Sequence, residues 1–157
     1  MVEPFAQVGD EHKKEMKSPW EELLAETERR VGATTQELES LTRQFPILRD
    51  DYVEFLRTCN GAEGSIGENY IVLWSTSDVT DLNEAYAVSE FAPGLILIAT
   101  DGGNEAYGLD LRDQEVPIVQ IPLVGMDWSE AKVVGRDFTQ FLQHLAFAGA
   151  ADADVAT

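Results

Sequence analysis

The sequence predicts a single α+β domain in which helices pack on a largely antiparallel sheet. The predicted elements run as three helices, one strand, one helix, several strands and one helix, with no βαβ unit and no internal repeat. Of the 157 residues, 44% are hydrophobic, which suits one core rather than two. Apolar and capping patterns place the domain at residues 18–147, between a predicted flexible arm at 1–17 and a predicted flexible tail at 148–157.

Three predicted helices open the domain, and each has a clear start or stop signal. The first covers 18–31, where Ser18 and Glu21 form a capping box and the apolar spacing continues to the end of the range. The second covers 34–45, repeats the capping box and is ended by a proline. The third covers 50–60 and stops at an Asn-Gly pair, which is typical of a helix C-terminus.

The middle of the chain alternates between loop, strand and helix. Glu63–Asn69 contains two glycines and is interpreted as a loop. Tyr70–Trp74 is β-branched and aromatic, which predicts a strand. Ser77 or Asp78 can then cap a fourth helix that runs to about Glu90.

A predicted hairpin over Leu95–Leu111 forms the centre of the sheet. Leu95–Ala99 has no polar break, so this strand is expected inside the sheet with both faces covered. Asp101–Glu105 contains the Gly, Asn and Asp residues that a tight turn requires. From Tyr107 onward every second residue is large and apolar, which predicts one buried face and one face open to solvent or a partner.

The last third of the domain supplies a further strand and a closing helix. Val116–Leu123 is predicted to be an edge strand, because Pro117 and Pro122 cannot donate hydrogen bonds to a neighbour. Gly125–Val134 is interpreted as a loop or a short strand. Asp137 is positioned to cap the final helix.

Charge is the most distinctive feature of the composition. The net charge is −18, and the stretch between Arg57 and Arg112 contains nine Asp and Glu residues with no Lys, Arg or His. Direct binding of nucleic acid is not expected, because phosphate contacts need a basic surface. Two explanations remain open: the charge keeps the protein soluble, or it forms an acidic face for a basic partner.

Few residues suggest a compartment or a reactive group. Cys59 is the only cysteine, so no intrachain disulfide is expected, and its helical spacing from apolar neighbours predicts a buried thiol. No apolar run approaches ~20 residues, so no membrane association is expected and the protein is predicted to be cytoplasmic. His12 and His144 are isolated and do not suggest a metal site or a catalytic triad.

The acidic turn raises the question of a calcium site. Asp101, Asn104 and Glu105 offer oxygen ligands, but their spacing does not match an EF-hand loop and the stretch is too short to surround the ion. Turn chemistry explains these residues better, so neither a metal nor a cofactor is expected. A carboxylate pair of a small hydrolase stays open as an alternative, since spacing along the chain does not fix the separation of two carboxyl groups.

Several motifs in the chain occur in a recognisable order. They are the capped helix from Ser18, the segment Phe45–Leu56 closing at Asn60–Gly61, the turn region Ala99–Asp110, and the helix start Asp137–Leu142. In this order they resemble the SUKH superfamily, the Smi/Knr-type domain of bacterial immunity proteins and fungal cell-wall regulators. The resemblance covers roughly Ser18 to Phe147 and implies the same α+β fold.

The resemblance implies a non-enzymatic interaction protein. Bacterial members of the superfamily bind a cognate secreted toxin, often a nuclease, and such toxins tend to be basic. The expected partner is therefore a basic protein, and the expected role is that of an immunity protein. The residues expected to contact it are Glu84, Asp101, Asn104, Glu105, Tyr107 and Trp128. A regulatory scaffold protein of the same fold is the first alternative. The sequence leaves open whether this protein is a monomer or an oligomer.

Overall fold

A computed structural model describes the backbone of residues 19–156 and the side chains of residues 20–147. Within this part of the chain, seven strands form one antiparallel sheet and six helices pack on it, which confirms the predicted α+β class. The elements are α1 (Pro19–Leu23), β1 (Thr27–Arg29), α2 (Thr35–Gln44), α3 (Asp50–Thr58), β2 (Ala62–Ile66), β3 (Asn69–Leu73), α4 (Thr76–Ala85), α5 (Val88–Phe91), β4 (Leu95–Thr100), β5 (Glu105–Asp110), β6 (Ile118–Pro122), a 3-10 helix (Trp128–Glu130), β7 (Lys132–Gly135) and α6 (Phe138–Ala156).

The sheet is a meander in which each strand pairs with the strands before and after it in the chain. The predicted hairpin of β4 and β5 lies in its middle, and all of β4 up to Ala99 is buried as expected. The pairing of β3 with β4 is short, because it involves only Val72 with Thr100 and Leu73 with Ala99. Further along that edge, the Ile98 carbonyl accepts a hydrogen bond from the Trp74 N–H, and the backbone of Leu97 bonds to the side chain of Asn83 in α4.

The core is built around a group of aromatic rings between the helices and the sheet. Its members come from α1, α3, α6 and β5: Trp20, Tyr52, Phe55, Tyr107, Phe138 and Phe141. Neighbouring ring centroids lie 4.9 to 6.5 Å apart, within the range of favourable aromatic packing. The final helix therefore covers one face of the sheet and closes the core.

The second and last helices begin where their sequences predict. Thr34 and Glu37 form a complete capping box at the start of α2. The side chain of Asp137 accepts a hydrogen bond from the backbone N–H of Gln140 at 2.8 Å, which satisfies a free donor at the start of α6. The fourth helix starts slightly earlier than predicted, because Ser75 and Asp78 form the capping box. It also ends earlier than predicted, at Ala85.

The first helix is much shorter than predicted. It ends at Leu23, and Thr27–Arg29 forms an edge strand that pairs with β2. Val31, expected on the buried helix face, is 90% exposed. Pairing with a neighbouring strand has overridden the helical spacing of the apolar residues.

The prediction of a loop over Glu63–Asn69 is also wrong, because β2 occupies most of that segment. Gly64 lies opposite Thr27, and a Cβ atom at Gly64 would come within 2.7 Å of the Thr27 Cα. The absence of a side chain at Gly64 therefore allows β1 and β2 to lie close together, whereas a glycine at this place in the sequence suggested a loop.

Two strand predictions are corrected by the order of the sheet. Both faces of β5 are buried, since Ala106 and Leu109 are both fully covered, so this strand has no solvent face. Strand β6 pairs on both sides, and β7 forms the edge instead. Pro117 lies just outside β6 and Pro122 is its last residue, so neither proline interrupts the strand.

The predicted arm at 1–17 lies outside the described residues. At the other end, the backbone of α6 continues through Ala156, and the flexibility predicted for 148–157 stays a prediction. None of the described helices combines the length and the apolar character that a membrane span requires.

Candidate functional site

One face of the β1–β3 part of the sheet is open to solvent. Cross-strand register places Glu28 opposite Glu63, Glu63 opposite Val72, and Ser65 opposite Tyr70, so these five side chains share a face. We call this surface the acidic sheet face. All five residues are exposed or half-buried.

The opposite face of the same strands is covered. Ala62, Ile66 and Ile71 are buried there, and the side chain of Asn69 donates a hydrogen bond to the Leu145 carbonyl of α6 at 2.6 Å. The sheet thus presents its apolar side to the final helix and its carboxylates to solvent.

The acidic sheet face carries two carboxylates, Glu28 and Glu63, and the cavity that they line also includes Arg29, Arg30 and Asp78. Glu28 and Glu63 are directly opposite each other, and like charges in that position destabilise a sheet. The hydroxyl of Tyr70 donates a hydrogen bond to the Glu63 carboxylate. That bond is the main reason why the pKa of Tyr70 is raised, with desolvation and the charges of Glu63 and Glu28 adding to it. Tyr70 nevertheless remains 45% exposed.

The turn between β4 and β5 borders this face. A Cβ atom at Gly102 would lie 3.4 Å from the Tyr70 ring, so the turn rests beside the exposed aromatic side chain. Asp101 uses one carboxylate oxygen to accept hydrogen bonds from the N–H groups of Gly103 at 2.7 Å and Glu105 at 3.2 Å. Asp101 therefore stabilises the turn, as the turn chemistry of its sequence indicates.

Asn104 and Glu105 connect the same turn to β6 and to the residues just after it by hydrogen bonds. The Asn104 side chain accepts a hydrogen bond from the N–H of Val124 at 2.9 Å, and its carbonyl accepts one from Leu123 at 2.7 Å. Glu105 accepts a hydrogen bond from the side chain of Gln120 at 2.6 Å. The structure thus brings Asp101, Asn104 and Glu105 together, each with a structural contact.

Tyr107 lies in the core. Its side chain is 5% exposed, and its ring centroid lies 5.0 Å from that of Phe141 in α6. Burial raises the pKa of Tyr107 to about 12, with smaller contributions from Asp101 and Glu105. Little of this ring is available to a partner.

Trp128 is held near the other end of β5 by contacts with Arg112 and Pro93, and we call this group of contacts, together with Asp110, the clasp. The guanidinium of Arg112 lies 3.3 Å from the centre of the Trp128 ring, and the indole N–H donates to the Pro93 carbonyl at 2.9 Å. Arg112 also forms two hydrogen bonds, at 3.0 and 3.1 Å, with the largely buried carboxylate of Asp110. The clasp fixes the 3-10 helix, and it leaves Trp128 half-buried.

Glu84 is separate from the turn. It is exposed on α4 and lines a cavity between α4 and α2. The six expected contact residues therefore occupy four places: the turn, the core, the clasp and the α4 surface. Sequence reasoning missed Glu28, Glu63 and Tyr70, although the buried positions Ala62 and Ile66 flank an exposed stretch typical of a strand with one solvent face.

The described residues include neither a metal-ligand cluster nor an exposed thiol. They contain no cluster of three or more His, Cys, Asp or Glu side chains placed to hold a metal ion. Cys59 is buried, and burial raises the pKa of its thiol, which disfavours the reactive thiolate.

Comparison with known proteins identifies the family. No curated protein matches the chain significantly. The family model described as SMI1 / KNR4 family (SUKH-1) matches residues 32–144, which extend from just before α2 into α6 and make up well over half of the chain. The chain therefore belongs to the SMI1/KNR4 family (SUKH-1).

Proposed function

We propose that this protein is a non-enzymatic immunity protein that neutralises a basic toxin by binding it through the acidic sheet face. Proteins of the SMI1/KNR4 family are generally non-catalytic immunity or regulatory proteins, which supports this class of function. The observation that carries the proposal is the facing pair Glu28 and Glu63 on an open sheet surface.

The Glu28–Glu63 pair is unfavourable in the free protein. A basic side chain at either position would stabilise the strands, yet two carboxylates stand directly opposite each other. A Lys or Arg side chain from a partner, placed between them, relieves this repulsion. The pair is therefore better suited to a complex than to the isolated domain.

Tyr70 supplies the aromatic part of the same surface. Its ring is exposed and flanked by Gly102, while its hydroxyl is bound to Glu63. Tyrosine is common in binding hot spots, because it contributes a large contact area together with a polar group. We expect Tyr70 to lie at the centre of the contact and the carboxylates to surround it.

A nuclease is the toxin class that best fits this surface. Its substrate groove must be basic in order to bind phosphates, so an acidic sheet face can occupy it and exclude nucleic acid. Long-range attraction would also speed the encounter, and salt would slow it. Inhibition would then be steric, with no reaction at either protein.

Co-expression with a toxin domain encoded beside the gene tests the proposal. The double variant Glu28→Lys with Glu63→Lys should fail to protect cells, and its association rate at low salt should fall by about tenfold or more. Glu39→Lys with Glu130→Lys is the matched control, because both residues are exposed and the charge change is identical. Equal protection and equal association rates for the two double variants would refute the acidic sheet face as the contact.

A further inference from the structure

A groove runs between α2 and α4. It contains two cavities that share Thr80 as a lining residue. The larger, about 280 Å³, has apolar walls formed by Phe45, Val88 and Leu95, with Glu84 and Ser89 also in its lining. The smaller, about 250 Å³, includes Leu41, Glu37 and Asp81 in its lining. We call this surface the α2–α4 groove.

The two cavities are separated by a polar bridge. The hydroxyl of Thr80 donates a hydrogen bond to the side-chain oxygen of Gln44 at 3.1 Å, which links the two helices across the groove. The lining follows α4 from Thr76 into α5, so the groove is at least as long as α4, which is about 15 Å for ten residues. The Thr80–Gln44 hydrogen bond therefore lies between the two cavities, each of which can receive a side chain of a partner.

The groove combines negative charge with nearby apolar surface. Asp81 and Glu84 are exposed carboxylates, and the described lining of both cavities contains no Lys, Arg or His. The apolar surface is the wall of the larger cavity, formed by Phe45, Val88 and Leu95. A cavity with apolar walls and a few charged residues in its lining is typical of binding sites.

We propose that the α2–α4 groove binds an amphipathic helix of a partner protein, with Lys or Arg residues beside its apolar stripe. An apolar side chain of that helix would enter the larger cavity, and a Lys or Arg side chain one or two turns away would enter the smaller one, whose lining is polar or charged apart from Leu41. The basic residues would then pair with Asp81 and Glu84. This is the groove mode of helix recognition, in which a few anchors fill pockets and flanking charges select the partner.

An extended peptide fits this groove less well than a helix does. A bound strand needs free backbone donors and acceptors from its receptor, as the edge of a sheet provides. The walls here are the sides of two helices, whose interior backbone groups already bond within each helix. A helix brings its own backbone bonds and leaves only side chains to be accommodated.

The proposal does not depend on the proposed function, because the α2–α4 groove and the acidic sheet face use different residues. Glu84, Asp81 and Ser89 belong to the groove, whereas Glu28 and Glu63 belong to the sheet. Substitutions at one surface can therefore be tested without changing the other.

A synthetic amphipathic helix of about 14 Leu and Lys residues serves as the probe. Its binding to the full chain is measured by fluorescence anisotropy, and ¹⁵N chemical-shift mapping locates it. The same helix with Glu in place of Lys is the control peptide. We expect the basic peptide to shift residues of α2, α4 and α5, and the acidic peptide to bind at least about tenfold more weakly.

Two variants distinguish the groove from general charge attraction. Ser89→Trp places a bulky ring at the larger cavity and should lower the affinity for the basic peptide by about tenfold. Gln143→Trp, at an exposed site on α6, is the control and should change that affinity by less than about twofold. If Ser89→Trp fails to fold, Asp81→Lys with Glu84→Lys is compared with Glu39→Lys with Glu130→Lys. The proposal would be overturned if the groove variants bind the basic peptide as tightly as the parent does. It would also be overturned if the chemical-shift changes are confined to the acidic sheet face, or if self-association of the protein accounts for the anisotropy change.

Discussion

The side chain of Asn83 binds both backbone groups of Leu97. Its carbonyl oxygen accepts from the Leu97 N–H at 2.8 Å, and its amide nitrogen donates to the Leu97 carbonyl at 2.9 Å. The same nitrogen donates to the Val79 carbonyl at 2.7 Å. Since β3 does not reach Leu97, a helix side chain replaces the missing strand at that position.

Replacing Asn83 with Ala should lower the free energy of unfolding by about 2–4 kcal/mol, because both backbone groups of Leu97 would be left buried and unpaired. Urea denaturation followed by circular dichroism measures the change. Asp81→Ala is the control, as an exposed substitution on the same helix that should stay within about 0.5 kcal/mol of the parent. A similarly small loss for Asn83→Ala would contradict the structural role of this side chain.

Tyr52→Phe should leave the protein equally stable or stabilise it by about 1–2 kcal/mol. The hydroxyl of Tyr52 is fully buried, and none of the described residues provides it with a hydrogen-bond partner. Burial also raises the pKa of this hydroxyl. Thermal unfolding of the variant at neutral pH tests the expectation, with Tyr70→Phe as the comparison in which a surface hydrogen bond is lost. A loss of more than about 1 kcal/mol at Tyr52 would show that the hydroxyl has a favourable contact.

Arg49 and Asp51 should be energetically coupled. Arg49 donates to the Asp51 carboxylate at 2.9 Å and to the Glu115 carbonyl at 2.6 Å, and Asp51 accepts from the Phe138 N–H at 2.9 Å. One ion pair thus joins α3, the β5–β6 connection and the start of α6. In a double-mutant cycle with Ala at both positions, we expect a coupling of about 0.5–3 kcal/mol. Strictly additive losses would mean that the two contacts act independently.

The free energy of unfolding should fall in alkaline solution because of the buried hydroxyl of Tyr107. Burial raises its folded pKa to about 12 from the usual 10, so the unfolded chain releases the phenolic proton first. Its contribution is fully present below pH 10 and is lost as the pH rises towards 12. Denaturation midpoints measured across this interval should fall less steeply for Tyr107→Phe than for the parent. Identical slopes would show that Tyr107 titrates normally in the folded protein.

Local signals predicted much of the helical part of the fold. The Thr34 capping box and the Asp137 cap each involve residues within one helical turn, so their effect is visible in the sequence. The third helix ends at Thr58, just before the predicted Asn60–Gly61 stop, and the Asn60 side chain accepts a hydrogen bond from the Thr76 N–H at 2.8 Å. The β4–β5 hairpin was predicted for the same reason, since its turn chemistry is local. The family resemblance, resting on these motifs in order, is confirmed by the match over residues 32–144.

The remaining features depend on contacts between distant parts of the chain. Thr27–Arg29 became a strand because β2 pairs with it, and its own spacing gave no sign of that partner. The same holds for the surface. Glu28 and Glu63 are 35 positions apart in the sequence, and only their register makes them neighbours. The alternation along β5 counted Tyr107 among the large apolar residues of the buried face, but it did not reveal that the other side of this strand is covered as well.

The position of α6 has a consequence for the protein during its synthesis. The strands leave the ribosome in the order in which they pair, so the sheet can assemble hairpin by hairpin. The helix that covers Tyr107 and binds Asp51 is the last of the described elements to emerge. Until residues 138–145 have been made and have left the ribosome, the growing chain carries an aromatic surface without its cover, and a ribosome that stalls before that point leaves a nascent chain prone to chaperone capture or proteolysis.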